Sequence, residues 1–165
     1  MKSALGEGRL WEEVSFGKKS AAMKKIILIG RSEAGKTTLT QALRGEEIHY
    51  HKTQYVNYDD DVIDTPGEYI QSREFARAIG LYTYEADVVG FLIAANETYC
   101  LFDPGSTAFC NRDVIGIITK INDPDANLPM IMNWMDIMGV PPDKIFLVDS
   151  VAGEGVEKIR DYLSA

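Results

Sequence analysis

The sequence predicts an α/β fold: a mostly parallel sheet of about six strands with helices on both faces. Three observations carry this expectation. Short apolar runs recur along the chain, the clearest being Val88-Val89-Gly90-Phe91-Leu92-Ile93-Ala94-Ala95. Strands buried on both faces of a sheet read this way. Segments with apolar residues at helical spacing alternate with these runs. A glycine-bearing turn joins the first apolar run to the first helical segment, as a strand–loop–helix unit requires.

The elements follow in order. Lys24-Lys25-Ile26-Ile27-Leu28-Ile29 predicts the first strand. Leu39, Ala42 and Leu43 predict a helix that starts near Lys36 and stops at Gly45. Residues 53–58 alternate in a strand-like way and residues 61–64 form a second short strand. Asp59 and Asp60 mark a hairpin turn between them. Residues 67–72 read as a loop and 73–81 as a helix. Residues 87–95 are the central strand, and 96–111, with Pro104 and Gly105, a long loop. Residues 114–119 are another buried strand, Leu128–Met138 an amphipathic helix, 144–148 a strand and 155–163 a closing helix.

A chain of 165 residues favours one domain. We place it at residues 23–165. Residues 1–22, rich in Gly, Lys and Ser, read as an extension that is tag-like, disordered or a docking segment. Met23, directly before the first strand, is a second possible start. Leu10, Trp11 and Val14 share one helical face, but Phe16 does not. The net charge of −8 argues against nucleic acid as a partner. No apolar run is long enough for a membrane span or a signal peptide. Two cysteines, Cys100 and Cys110, suggest free thiols in a reducing cytoplasm.

The chemistry concentrates at Gly30-Arg31-Ser32-Glu33-Ala34-Gly35-Lys36-Thr37-Thr38. This fits G-x-x-x-x-G-K-[ST], a loop whose backbone N–H groups cradle phosphate at a helix N-terminus. Lys36 is expected to bridge β- and γ-phosphates, and Thr37 to offer its hydroxyl to Mg²⁺. Asp64-Thr65-Pro66-Gly67 ends a later strand. Asp64 is expected to hold Mg²⁺ through water and Gly67 to meet the γ-phosphate. Thr53 lies between the two motifs, either as a switching residue that closes over Mg²⁺ or as an ordinary loop threonine. Thr119-Lys120-Ile121-Asn122-Asp123 follows a strand at the place where small GTPases carry Asn-Lys-x-Asp, and that resemblance makes it the expected base-reading segment. There the Lys120 stem would pack on the base plane. Asp149-Ser150-Val151-Ala152-Gly153 follows the last strand and resembles the small-GTPase loop that backs the guanine oxygen with an N–H, which implies that role for Ser150, Val151 and Ala152. His49-Tyr50-His51, with Glu46 and Glu47, reads as a solvated loop rather than a metal site, since no third ligand is fixed. Met130, Met132, Met135, Met138 and Trp134 read as helix packing.

In their order these motifs resemble a Ras-like small GTPase of the P-loop NTPase class. More closely, 38–43, 45–48, Lys52-Thr53-Gln54 and 63–70 resemble the EutP/PduV family. The resemblance covers residues 24–163. It implies a P-loop α/β fold and a nucleoside triphosphate site using Mg²⁺ and GTP, or ATP. It also implies a link to ethanolamine and propanediol utilisation and to bacterial microcompartment shell proteins. An ATP-dependent acetate kinase activity, making acetyl phosphate, is attributed to the ethanolamine branch.

This sequence departs from the GTPase pattern at three positions. Asn122 stands where guanine readers place Asp, and a carboxamide has one acceptor where a carboxylate has two. Thr119 replaces the usual Asn. Glu68 stands where a Gln orients water, either as a general base or turned away. The expected function is therefore a slowly hydrolysing GTP-binding protein. Its alternative is an acetate kinase, with Arg31, Arg73 or Arg77 as candidate acceptor-site cations. A third reading is a docking module that holds nucleotide only for stability.

Overall fold

The computed structural model describes residues 23–45, 57–58, 62–64, 80–81 and 83–165. β1 (Ile26–Gly30) is buried along its whole length. It pairs in parallel with β3 (Val62–Asp64) on one side and β4 (Val88–Ala94) on the other. β5 (Asp113–Thr119) and β6 (Ile145–Leu147) extend the parallel sheet beyond β4. β2 (Asn57–Tyr58) adds an antiparallel edge to β3, giving the order β2-β3-β1-β4-β5-β6. The chain thus builds outward from β1 one way, then returns to the other side through β4. That reversal makes the carboxyl end of β1 a topological switch point, where open α/β sheets place their ligands.

Alternation along the strands sorts the core into two layers. Ile26, Leu28, Val88, Leu92, Ile115 and Ile117 face α1 (Lys36–Arg44) and α3 (Val156–Ser164), which contribute Leu39, Leu43, Ile159 and Leu163. Ile27, Ile29, Val89, Phe91, Ile93 and Ile118 face α2 (Leu128–Met138), which contributes Ile131, Met135 and Met138. Helices therefore cover both faces. Gly116 lets α2 close on β5: a Cβ there would lie 2.8 Å from Met135 Sδ and 3.0 Å from Val140 Cγ1.

The helix ends follow capping chemistry. α1 stops at Gly45, whose left-handed φ of 69° suits glycine. Asn127 caps α2 by accepting from the Met130 N–H at 3.2 Å. Long-range donors meet the carbonyls at its far end: Gly105 N–H to Ile137 and Thr107 Oγ1 to Met138. The expected loop over 96–111 therefore contains a short 3₁₀ turn, Ser106–Phe109, that docks on α2. The strand expected from residue 144 begins one residue later. Pro142–Lys144 form a 3₁₀ turn instead, closed by Lys144 N–H on the Pro141 carbonyl at 3.0 Å. Residues 59–60 lie outside the described residues, but the strands they would join are antiparallel as expected. The helix expected over 73–81 lies outside them too, except 80–81, which are helical. The extension 1–22 lies wholly outside them. No described helix is long and apolar enough to cross a membrane.

Candidate functional site

The loop leaving β1 at the switch point is shaped by close approach. A Cβ on Gly30 would lie 2.9 Å from the Leu92 carbonyl oxygen on β4, so a side chain there would push the loop off the sheet. Gly35 has φ 98° and Glu33 φ 67°, and these left-handed residues turn the chain into α1. Ala34 is buried and its N–H closes on the Arg31 carbonyl at 3.1 Å. Lys36, the first residue of α1, is only 6% exposed. Its Nζ donates to the carbonyls of Gly30 and Arg31, both at 2.8 Å. The loop thus wraps its own lysine, holding a cation beside the helix N-terminus. Thr37 and Thr38 follow in the first turn, half-buried, and Ser32 is half-buried at the loop crest.

The end of β5 ties the loop down from the side. Buried Thr119 donates its hydroxyl to the Ala34 carbonyl. Lys120, in a left-handed conformation with φ 55°, donates from Nζ to the Glu33 carbonyl at 2.8 Å. Between the loop, the end of β4 and Lys120 lies a cleft of about 190 Å³, lined by Arg31, Glu33, Asn96, Glu97, Thr98 and Lys120 among others. The Arg31 guanidinium stacks 4.5 Å from the centroid of the Tyr99 ring.

Glu97 is the unexpected member of this cleft. Its Oε1 accepts from the Ala94 N–H at 3.0 Å, capping the end of β4. Burial pushes its carboxyl above the usual range, against the opposing pull of that bond and of Arg31, Lys120 and Lys36. Sequence reasoning missed Asn96 and Glu97. The available signal was a polar Asn96-Glu97-Thr98 run directly at the carboxyl end of the most apolar strand.

The expected base-reading segment is built differently from its sequence reading. Asn122 donates from Nδ2 to Asp149 Oδ2 at 3.0 Å and to Glu154 Oε2 at 2.9 Å. Asp123 is turned inward: Oδ2 accepts from Asn96 Nδ2 and Oδ1 from the Asp125 N–H. In the following loop Ala152 N–H is taken by Asp149 Oδ1 at 3.0 Å, and Val151 is exposed. The Ser150 hydroxyl is buried with no hydrogen-bond partner among the described residues. Glu154, whose backbone pairs with that of Asp149, had not stood out in the sequence.

Asp64 ends β3 and pairs in register with Leu28, the middle residue of β1, on the strand that leads into the loop. Thr53, Gly67 and Glu68 lie outside the described residues, as do His49 and His51. Among the described residues no group of three His, Cys, Asp or Glu side chains gathers as a metal site. Magnesium held by a hydroxyl, one carboxylate and phosphate oxygens needs no such group.

The family model for ethanolamine utilisation - propanediol utilisation proteins matches residues 23–165. The chain belongs to the PduV-EutP family. It is 37% identical over 144 residues to the propanediol utilization protein PduV of Citrobacter freundii, covering 87% of this chain and 95% of that one. It is 32% identical over 145 residues to a probable acetate kinase, EutP, of Salmonella typhimurium, covering 87% and 91%. A more distant likeness, 27% over 161 residues, links it to GTPase Era of Corynebacterium glutamicum, covering 81% of this chain and 52% of that one. The PduV-EutP match includes the whole β1 loop, the β5 ties and the Asn122 contacts described above.

Proposed function

We propose that the protein is a Mg²⁺-dependent nucleoside triphosphate-binding protein with slow hydrolysis, serving ethanolamine or propanediol utilisation at a bacterial microcompartment. The observation that supports this most is Lys36, held by the Gly30 and Arg31 carbonyls at the N-terminus of α1 beside the switch point. A triphosphate would take its place against the loop amides of residues 30–38, with Lys36 on its β- and γ-oxygens. Thr37 and Asp64, with Thr53 closing over them, are the residues to hold Mg²⁺. That ion would supply charge neutralisation at the transferring phosphoryl group. Gly67 would meet the γ-phosphate, and Glu68 would orient or deprotonate water. Lys120, with Asn122 or Asp123 and the loop of Ser150, Val151 and Ala152, would hold the base.

A second reading, an ATP-dependent acetate kinase, draws support from the relatives named probable acetate kinase. It draws further support from the small cleft beside the loop, where Arg31 and Lys120 supply positive charge for a short carboxylate. The half-buried Glu97 in the same cleft opposes a bound anion and weakens this reading.

Titration with Mg·GTP and Mg·ATP, followed by nucleotide turnover with and without acetate, separates the two. Binding with slow, acetate-independent hydrolysis supports the first reading. Acetate-dependent ATP consumption with acetyl phosphate formed replaces it with the second. Binding of neither triphosphate removes both.

A further inference from the structure

The Asn122 side chain sits between two carboxylates. Both Nδ2 contacts are of normal length, 3.0 Å to Asp149 and 2.9 Å to Glu154. An amide oxygen in that place would face carboxylate oxygens acceptor to acceptor, so the neighbours dictate the amide's orientation. Both Nδ2 protons are thereby used. The side chain's remaining polar atom is Oδ1, and among the described residues no donor reaches it. Asp149 is itself held, since its Oδ1 accepts from the Ala152 N–H and its backbone pairs with Glu154. The other carboxylate of the segment, Asp123, already has a partner on each oxygen.

We propose that Asp149 and Glu154 set base selection by clasping Asn122, so that this side chain offers the base one acceptor and no donor. This rests on the triphosphate reading above. The consequence follows from the bases themselves. Guanine offers two adjacent donors, N1–H and the 2-amino group, and needs two acceptors to be read fully. Hypoxanthine offers N1–H alone. Adenine offers its 6-amino donor beside an N1 acceptor, which would need a donor from the protein. A single fixed Oδ1 satisfies one donor of each and cannot tell them apart strongly. Asp149 and Glu154 are positioning residues here: they act on the base through Asn122.

The test uses the full chain and displacement of a fluorescent triphosphate by Mg·GTP, Mg·ITP and Mg·ATP. The wild type is expected to bind all three within about ten-fold. Asn122→Asp alone places a third carboxylate beside two others and should gain little guanine preference. Asn122→Asp with Glu154→Ala relieves that repulsion and should favour GTP over ITP by about ten-fold or more. Glu154 is exposed and keeps its backbone pairing with Asp149, so its removal leaves the loop frame intact. A wild type that separates GTP from ITP or ATP by more than about a hundred-fold overturns the proposal. So does a double variant no more selective than the single one. A ligand-free readout stands beside these: the Asn122 side-chain amide protons should exchange faster and shift in an NMR spectrum of Glu154→Ala. Unmoved signals mean no clasp, whatever binds. Loss of all triphosphate binding in the wild type, with the NMR response intact, overturns the triphosphate reading and base selection with it, while leaving the Asn122 contacts standing.

Discussion

The Thr119 hydroxyl donates to the main-chain oxygen of Ala34, joining residues 85 apart in the chain. Both groups are buried. The bond locks the β1 loop to the end of β5, so the loop's curvature is held by the sheet as well as by its own turn. Gly35 beside it serves the turn: a Cβ there would meet Thr119 Oγ1 at an ordinary 3.6 Å, but the left-handed φ of 98° suits glycine.

Replacing Thr119 with Val keeps the shape and deletes the donor. The Ala34 carbonyl is then buried without its partner, which costs about 1–2 kcal/mol. Thermal unfolding should fall by roughly 2–6 °C. Thr119→Ser should stay near wild type, and equal losses in both variants would show that the hydroxyl carries nothing.

Lys36→Ala should weaken triphosphate binding by about 10- to 100-fold, the loss of charge-assisted bonds to phosphate. His49→Ala should leave binding within about two-fold, because the sequence places His49 outside the phosphate-binding motifs. Competition titration of the two variants checks this. Comparable losses would place the site elsewhere.

Glu97 gives a pH signature. Burial raises its folded pKa above the unfolded value, so the folded state holds its proton longer. Stability should therefore fall as pH rises from the unfolded carboxylate pKa through the raised folded value, and stay lower above it. Glu97→Gln retains an acceptor for Ala94 N–H and removes the ionisation. It should melt higher than wild type at pH 7.5, with the gap closing below about pH 4. Thermal melts across that range, without nucleotide, decide it.

Asp113 shows the opposite sign. Burial would raise its carboxyl, but bonds from Lys144 and Tyr162 outweigh that and bring it below the usual range. Its contribution is present above the unfolded pKa of about 3.9 and is lost as pH falls through the lowered folded value. Asp113→Asn should flatten the acid limb of the stability curve. An unchanged limb below about pH 4 would show that other carboxylates govern it.

Much of the architecture was legible because apolar runs and glycine stops act locally. The helix Leu128–Met138 has the bounds that its pattern predicts, since Asn127 and Gly139 punctuate it. Lys144 was misread as strand because two prolines impose a turn whose reach cannot be seen from residue type alone. In the site, the loop 30–38 was legible as a motif, and Thr119 and Lys120 only as part of an expected base-reading segment. What those two residues touch was not, because their partners come from far along the chain. The same holds for Asn122: the sequence shows a carboxamide in place of a carboxylate, but only folding brings Asp149 and Glu154 against it. Glu97 escaped notice because a glutamate after a strand is unremarkable until its burial is known.

The lysine at the head of α1 is already fastened to two neutral oxygens of its own loop. On the triphosphate reading, a visiting polyanion would meet a cation whose lodging is arranged beforehand. Its arrival would be an exchange of partners at one side chain, with little searching left to do. The empty site and the filled one would then share nearly one backbone, and any signal of occupancy must come from elements beyond this loop.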